Sequence, residues 1–283
     1  MNGKLPPGWE MATLDDLGTW TGGGTPSKKV ADYWGGDIPW VTPKDMKAPR
    51  LNGSQDRITA KAVQESSAKL VPAGSLAFVV RSGILEHTLP IALLKCDATI
   101  NQDLKVLTPH ADLNPEWLLY ALLALAPMIR RECRKDGTTV ASLDFPKLRR
   151  YPVPLPPRAE QDRIVEAVES VMAAVDEALR SIHRAHKTME LLEELNAPRI
   201  QANVLRRAIL HRAFTGQLVP QDPADEPASE LLKRIEAEKA EREAELKAAR
   251  RRTRKDRSGS SAETAEALPR PPSQSGKVGT SSD

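Results

Sequence analysis

The stretch YPVPLPPRAEQDRIVEAVESV, residues 151–171, places four prolines directly before a strongly helical pattern. Each proline holds φ near about −65°, and each residue that precedes a proline is pushed out of the helical region. The stretch therefore predicts an extended, stiff segment up to Pro157 and a helix from Arg158 onward. The chain passes from a rigid joint straight into a helix.

The apolar positions of that helix form a narrow seam, in which apolar or small residues recur at alternating spacings of three and four. Such a seam is typical of a helix that packs against one partner helix, within the subunit or across a dimer, whereas a helix on a globular core has a wider apolar face. The helix is predicted to run to about Asn196, and Pro198 is predicted to interrupt it before a second helix that stops at Thr215 and Gly216. The predicted partner-helix seam consists of Val168, Val171, Val175, Ile182, Met189 and Leu192.

Four regions follow from the pattern along the chain. Residues 1–157 carry short β-like runs between glycines and prolines, together with one helix that Asn114 caps and Pro115 begins, and so predict a compact α+β domain. Residues 158–216 hold the two helices, and residues 217–250 are predicted to form a linker and a charged helix. Residues 251–283 are rich in serine, proline and charge, which predicts a disordered tail.

The net charge alone does not indicate a nucleic-acid-binding protein or exclude one, because 41 lysines and arginines nearly cancel 38 acidic residues. The basic excess lies in residues 1–157, which hold 19 basic and 16 acidic side chains. Cys96 and Cys133 form no CxxC pair and no secretory signal is evident, which indicates a reducing, cytoplasmic location. The most apolar run, residues 117–129, is too short to span a membrane and is predicted to be a buried helix.

Two loops of the first region could meet a nucleic acid. The loop TWTGGGTPSKK, residues 19–29, offers backbone N–H groups, hydroxyls and ammonium groups to a phosphate, although its spacing is not that of a Walker loop and an ordinary exposed loop remains the alternative. In the stretch GGDIPWVTPKDMK, residues 35–47, Trp40 is interpreted as a packing residue. The basic residues beside it are candidate DNA contacts.

No catalytic constellation is evident in the sequence. The five histidines form no HExxH pattern, and no nucleophile elbow, dinucleotide fingerprint or kinase loop occurs. His183 and His186 lie three residues apart on a helix without a matching carboxylate or cysteine, so a solvated helix face is favoured over a metal site. The basic residues between Arg250 and Arg257 are interpreted as a solvated tail, with weak contact to DNA phosphates as the alternative.

Several motifs, in order, resemble the specificity subunits of type I restriction-modification systems. They cover about residues 5–235, and they are LPPGWEMATLDDLGTWTGGGTPS, DIPWVTPKD, ATINQDLKVL, PVPLPPRAEQDRIVEAV and LRRAILHRAFTGQLVPQDPADEPASELLKRI. The resemblance implies a DNA target-recognition domain followed by long antiparallel, coiled-coil-like spacer helices, and the composition of residues 251–283 adds a disordered basic tail. The proline joint would then orient the reading domain relative to a helix that acts as a ruler.

The resemblance also implies partners. Such a subunit reads double-stranded DNA and binds methyltransferase subunits and, in the restricting complex, an ATP-driven translocase and nuclease subunit. It is a reader and scaffold without a cofactor of its own, while S-adenosylmethionine is expected on the methyltransferase partner and ATP and magnesium on the restriction partner. On loops of the basic domain, the predicted DNA contacts are Thr25, Ser27, Lys28, Lys29, Thr42, Lys44, Lys47 and Arg81.

The sequence departs from the family pattern in one respect. The usual member has two recognition domains, each followed by spacer helices, but here a charged helix and a tail follow the PASELLKRI motif. A half-size subunit that pairs with itself or with a second half-subunit is therefore predicted. A piece of a split specificity subunit, and a helical assembly scaffold that does not read DNA, are the alternatives.

Overall fold

The computed structural model describes residues 5–137, 139–186, 196–242, 244–245 and 247. It divides into a compact unit, Met1–Ile235, and a second unit, Glu236–Asp283, in which residues 236–242 are helical. The predicted tail, residues 251–283, and the seam residues Met189 and Leu192 lie outside the described residues.

The first unit contains thirteen described strands and five described helices in an α+β arrangement, and a further helix, residues 228–242, begins in this unit. The strands are β1 (Glu10–Thr13), β2 (Gly18–Gly22), β3 (Trp34–Val41), β4 (Arg50–Leu51), β5 (Arg57–Ile58), β6 (Leu70–Val71), β7 (Leu76–Val79), β8 (Ile91–Leu94), β9 (Ala98–Ile100), β10 (Leu104–Pro109), β11 (Arg134–Lys135), β12 (Ser142–Leu143) and β13 (Pro152–Leu155). The helices are α1 (Ala60–Glu65), α2 (Pro115–Glu132), α3 (Phe145–Arg149), α4 (Arg158–His186) and α5 (Asn196–Ala213), and the residue ranges Ala31–Tyr33 and Gly83–Glu86 are 3₁₀ turns.

The strands form two larger mixed sheets and two small ones. A five-stranded sheet has the order β2-β10-β7-β8-β4, and a four-stranded sheet has the order β5-β3-β9-β6. The pairs β3–β9 and β4–β8 are parallel, whereas the other pairs of these sheets are antiparallel. Strands β1 and β13 pair with each other, as do β11 and β12. The two larger sheets and the loops between them carry most of the predicted DNA contacts.

Helix α2 forms where its capping signals predict it. The Asn114 side chain accepts hydrogen bonds from the backbone N–H groups of Glu116 and Trp117, and Pro115 occupies the first turn, where its missing N–H costs nothing. The apolar residues of the helix, including the fully buried Trp117, lie in the main hydrophobic core. The helix therefore belongs to the core of the α+β region.

The proline joint is a strand rather than a free strut. Pro152–Leu155 forms β13, which pairs antiparallel with β1, in the register Thr13↔Pro152 and Met11↔Pro154. A proline offers no backbone donor, and strands rich in proline are confined to edges for that reason. In this small sheet β13 has one neighbour, and α4 begins three residues after it.

The first turns of helix α4 pack against the α+β region of residues 1–157. The α4 residues Ile164 and Val168 are fully buried in the same core as the sheets and α2. Residues 217–235, which were predicted to begin a linker, also reach that core, since Ala228, Leu231 and Ile235 are buried in it. The boundaries predicted at 157 and at 217 thus fall inside one compact unit.

Helix α5 starts earlier than its proline suggests. It spans Asn196–Ala213, so Pro198 lies within the described helix and does not precede it. The end is as predicted, because Gly216 adopts φ +67° and the N–H of Gln217 donates to the carbonyl of Arg212 at 2.8 Å.

Candidate nucleic-acid interface

The end of β9 and the turn after it, residues 101–103, join three segments that are far apart in sequence. The N–H of Asn101 donates to the carbonyl of Val41 at 2.9 Å, and the N–H of Gly24 donates to the carbonyl of Ile100 at 2.9 Å. The carbonyl of Asp103 accepts from the N–H of Val80 at 2.9 Å. The glycine loop, the end of β3 and the end of β7 therefore meet at this turn.

The glycines of the loop permit this close approach. A Cβ added at Gly23 would overlap the carbonyl oxygen of Asn101, and a Cβ at Gly24 would overlap the carbonyl oxygen of Ser67. The indole N–H of Trp40 donates to the carbonyl of Gly24 at 3.0 Å, and the Trp40 side chain is buried. The interpretation of Trp40 as a packing residue is confirmed, and its specific role is to hold the loop.

The predicted contacts on the glycine loop differ in their surroundings. Thr25 is half-buried, and its hydroxyl donates to the amide oxygen of Gln102, a neighbour that sequence reasoning missed because nothing in the sequence links the two positions. Ser27, Lys28 and Lys29 are exposed. The carbonyl of Ser27 accepts from the indole N–H of Trp34 at 3.3 Å, which fixes the end of the loop.

The loop after β3 carries Thr42, Lys44 and Lys47. The hydroxyl and the backbone N–H of Thr42 both donate to one carboxylate oxygen of Asp45, at 2.9 and 2.8 Å. The other carboxylate oxygen accepts from the N–H of Gln55 at 2.9 Å. Thr42 thus shapes the loop, while Lys44 and Lys47 remain exposed on it.

The loop after β3 faces the segment after β7 across a shared groove. The groove has a volume of about 680 Å³, and its walls include Lys44, Lys47, Ser82, Ile84 and Leu89. Most of its other wall residues are apolar or proline. No local sequence pattern indicates this groove, because its two walls are about forty residues apart in the chain.

Arg81 precedes Ser82 on the second wall. Its guanidinium donates to the carboxylate of Asp103 at 2.6 Å and remains more than half exposed. Among the described residues, by contrast, Lys28, Lys29, Lys44 and Lys47 are not paired with any carboxylate. Four uncompensated ammonium groups therefore lie on the two loops that meet at the turn 101–103.

A second group of polar residues, the helix-entry cluster, is defined by Trp9, Asn114, Glu160, Gln161 and Gln221. The indole N–H of Trp9 donates to Glu160 at 2.9 Å, and the amide of Gln221 donates to the other oxygen of Glu160 at 2.7 Å. Gln161 accepts from the N–H of Asn114 at 3.0 Å and donates to the carbonyl of Pro156 at 3.2 Å.

Trp9, Glu160 and Gln161 of the helix-entry cluster are buried, with Glu160 and Gln161 at most 1% exposed, while Asn114 and Gln221 are half-buried. Burial raises the pKa of the Glu160 carboxyl above its ordinary value, and hydrogen bonds from Gln221 and Trp9 oppose part of that shift. Just beyond the cluster, Arg163 donates to both oxygens of Asp225. These bonds join the first turns of α4 to the N-terminal segment, to α2, to the proline joint and to residues 221–225, so the direction of α4 is fixed at its start.

A third site, centred on Arg50, connects the α+β sheets with α2 and α4. The Arg50 guanidinium donates to Glu116 at 3.0 Å, to the Tyr120 hydroxyl at 2.9 Å and to Glu169 at 2.9 Å. Burial disfavours the ionised Glu116, but hydrogen bonds from Arg50 and Lys95 outweigh it and lower the pKa of Glu116. Sequence reasoning missed Arg50, since its partners lie 66 to 119 residues away.

The described part of the partner-helix seam packs within the chain. Val168 is fully buried, Val175 is 8% exposed, and Val171 and Ile182 are half-buried. Asp176 of α4 forms an ion pair with Arg206 of α5, 30 residues further along, so the two helices run side by side. Three large apolar side chains of α5 remain exposed, Ile200 at 63%, Val204 at 60% and Leu205 at 47%.

The part of the chain that the structure describes contains neither a membrane-spanning helix nor a metal-binding group. No described helix has the length and apolar content that a membrane crossing requires. Within the same residues, no three or more His, Cys, Asp or Glu side chains are grouped so that they could hold a metal ion.

Comparison with known proteins gives a consistent result. Residues 6–181 match the family described as type I restriction modification DNA specificity domain. The chain is 41% identical over 191 residues to the type I restriction enzyme EcoR124I/EcoR124II specificity subunit of Escherichia coli, which covers 66% of this chain and 47% of that protein. It is 31% identical over 196 residues to the type I restriction enzyme MjaIX specificity subunit of Methanocaldococcus jannaschii, covering 68% of this chain and 43% of that protein. The chain spans about half the length of these curated relatives.

Among solved structures, the crystal structure of the HsdS subunit from Thermoanaerobacter tengcongensis aligns with 77% of this chain and 47% of its own chain. The TM-score is 0.45 and the sequence identity is 24%.

Proposed function

The chain belongs to the type I restriction-modification DNA specificity family, and on that premise we propose that it reads one half of a bipartite DNA site and recruits methyltransferase subunits to it. One observation carries the proposal. The turn 101–103 joins the glycine loop and the loop after β3, and these loops hold four exposed lysines that no described carboxylate neutralises. Unpaired ammonium groups on neighbouring loops suit the closely spaced phosphates of duplex DNA.

The roles of the predicted contacts follow from their surroundings. Lys28, Lys29, Lys44 and Lys47 bind phosphates, because a lysine ammonium acts as a point charge and provides affinity more than sequence information. Thr25, Ser27 and Thr42 hold or extend the loops that present those lysines, and their hydroxyls reach DNA from there. Arg81 exchanges part of its contact with Asp103 for one with DNA.

The chain acts as a reader and assembly subunit and performs no catalysis itself. The curated relatives are named as specificity subunits of type I restriction enzymes, which supports a division of labour between subunits. The methyltransferase partner then supplies S-adenosylmethionine, and a restriction or translocase partner supplies ATP and magnesium. The complex works in the cytoplasm, where Cys96 and the buried Cys133 stay as free thiols.

Assembly uses the helices. Residues Ile200 and Val204 lie four apart on α5, so they share one face, and both are more than half exposed. That face of α5 is available to a second copy of this chain, to a second half-subunit or to the methyltransferase. If two copies pair about a two-fold axis, they read two identical inverted half-sites, whose centres lie about 10 base pairs apart when both domains meet one face of the duplex.

Methylation mapping tests the reading function. DNA from cells that carry this chain and its methyltransferase is sequenced for modified bases, with cells that carry the methyltransferase without this chain as the control. We expect a bipartite methylated motif that depends on the chain. Methylation without a motif, or a motif that persists when the chain is removed, would contradict the proposal.

A binding experiment tests the glycine loop. Lys28→Ala with Lys29→Ala is expected to weaken binding of the methyltransferase complex to every duplex and to reduce the salt dependence of log K by up to about two units of slope. The matched control removes two other exposed charges, with Arg180→Ala and Lys233→Ala, which lie on helical segments. Equal slopes for wild type and the loop variant would remove this loop from the interface.

A further inference from the structure

A small hairpin lies beside Arg81 and has no role in the interface described so far. Strands β11 and β12 pair antiparallel in the register Arg134↔Leu143 and Lys135↔Ser142. Gly137, in the connection between them, adopts φ +73°, a value that favours glycine. We call residues 134–137 and 139–143 the side hairpin.

Arg81 pairs with the outer side of β12 and so adds a third strand position beside the side hairpin. Arg81 forms an antiparallel bridge with Ser142, which itself stands opposite Lys135. Residues directly opposite in antiparallel pairs carry their side chains on the same face, about 5 Å apart at Cβ. Lys135, Ser142 and Arg81 therefore form a row on one face, with a basic side chain at each end and a hydroxyl between them.

The base of the side hairpin is held firmly. The N–H of Ser82 donates to the carbonyl of Ala141 at 3.0 Å, and the N–H of Leu143 donates to the carbonyl of Val80 at 2.8 Å. The guanidinium of Arg134 binds both carboxylate oxygens of Glu86, at 2.9 and 3.0 Å. The hairpin is thus fixed to the same segment that forms one wall of the groove beside Lys44 and Lys47.

Most described residues of the connection, in contrast, are exposed to solvent. Lys135, Asp136, Thr139 and Val140 are exposed, and Val140 retains 46% of its accessible surface. A β-branched apolar residue at an exposed hairpin end contributes nothing to the core of this chain. Beside the row that carries Lys135 and Arg81, an exposed apolar side chain suits a DNA groove, because a thymine methyl group offers an apolar contact and the flanking phosphates attract cations.

Resting on the proposed DNA-reading function, we propose that the side hairpin enters the major groove of the duplex and reads base edges with Thr139 and Val140. The major groove is about 12 Å wide and admits a two-stranded ribbon. Lys135 and Arg81 then contact the phosphates beside the groove. Val140 packs on the methyl group of a thymine, Thr139 bonds to a neighbouring base edge, and Asp136 suits the amino group of a cytosine.

The experiment compares two duplexes and three variants. The full chain in complex with its methyltransferase is titrated, by fluorescence anisotropy, with a duplex that carries the mapped motif and with a scrambled duplex. Val140→Ala combined with Thr139→Ala is expected to weaken binding to the motif duplex about tenfold and to leave binding to the scrambled duplex unchanged. Lys135→Ala is expected to weaken binding to both duplexes and to lower the salt slope by about one unit.

The matched control is Leu70→Ala, which also removes an exposed apolar side chain, 49% accessible, but from β6. It should bind both duplexes as wild type does. Because the substituted side chains are exposed, all variants should keep the wild-type melting temperature.

The possible results distinguish the role of the side hairpin from the proposed DNA-reading function. If wild type prefers the motif duplex and the Thr139–Val140 variant keeps the full preference, the side hairpin does not read bases, while the proposed function stands. If wild type shows no preference between the duplexes, the proposed function fails and the hairpin role fails with it. A loss of preference in the Leu70→Ala control as well would also overturn the hairpin role, because the effect would then not be local.

Discussion

Trp9 and Glu160, 151 residues apart in sequence, are joined by a hydrogen bond of 2.9 Å from the indole N–H to a buried carboxylate oxygen. The second oxygen of that carboxylate is bound by Gln221. Each of the three residues lies in one of the motifs that carry the family resemblance: PPGWE, RAEQDRI and LVPQDP. A single carboxylate therefore connects the motifs at the start of the recognition region, at the start of α4 and after α5.

The first prediction concerns the stability that this carboxylate provides. Glu160→Ala removes the acceptor of two buried donors, so the free energy of unfolding should fall by about 3 kcal/mol. Glu160→Gln should cost less, because its amide oxygen still accepts from Trp9 and its amide N–H can donate to the Gln221 oxygen, which has no hydrogen-bond partner among the described residues. Chemical denaturation of the three proteins measures the difference, and equal losses for both variants would contradict this role.

The second prediction is a pH dependence. Burial raises the pKa of Glu160 in the folded chain, so this group contributes stability that is fully present below its unfolded pKa, about 4.3, and is lost as the pH rises through the folded pKa. Relative to wild type, Glu160→Gln should therefore gain stability as the pH rises across that window. Denaturation curves measured at several pH values test this, and a constant difference between the two proteins would argue against the raised pKa.

The third prediction uses two neighbouring glycines. An alanine Cβ at position 23 would overlap the Asn101 carbonyl oxygen, which is backbone, whereas at Gly22 it would lie 3.0 Å from the flexible end of Lys105. Gly23→Ala should cost about 1–3 kcal/mol of stability and weaken binding to all DNA duplexes, because the lysines of the loop are displaced. Gly22→Ala is the control and should change both little. Similar behaviour of the two variants would show that the close approach does not shape the loop.

The fourth prediction compares two ion pairs. Arg50 is partly buried and bonds to three residues on α2 and α4, so Arg50→Met should lower the free energy of unfolding by about 1–3 kcal/mol. Lys61 forms an exposed pair with Asp32, and Lys61→Met should cost less than about 1 kcal/mol. Thermal melts of both variants test the ranking, and an equal or reversed ranking would mean that Arg50 does not join the sheets to the helices.

Local sequence signals predict where helices begin and end, but they do not predict contacts between residues far apart in the chain. Asn114, Pro115 and Gly216 act through neighbours within a few residues, so their capping and stop roles could be inferred from sequence and are confirmed. The parallel pairing of β3 with β9 and the three partners of Arg50 depend on topology, which no local pattern encodes.

The burial of two polar residues of α4 also could not be predicted from a local sequence pattern. Glu160 and Gln161 are polar residues in the first turn of a helix, where polar side chains are ordinarily exposed, yet both are buried. Of the candidate interface, the loops and their lysines were predicted, but not the turn 101–103 that joins them. That turn consists of polar residues whose backbone groups make the connections, and backbone groups leave no signature in the sequence.

The last prediction concerns the helices, as a seam and as a ruler. Val175→Asp with Ile182→Asp places charge in the α4 seam and should cost several kcal/mol, whereas Ile200→Asp with Val204→Asp changes exposed residues and should lower only the mass in solution or the capture of the methyltransferase. The role of the helices as a ruler is tested by a deletion. Because Asp176 forms an ion pair with Arg206, residues 175–181 of α4 lie beside about residues 201–207 of α5. Deleting both heptads together preserves the register and shortens the helix pair by about 10.5 Å, or about three base pairs of duplex. Methylation mapping of that variant should show the same half-site bases around a shorter unread gap. Two different half-sites would contradict the homodimer and indicate a second half-subunit, and an unchanged gap would show that these helices do not set the distance.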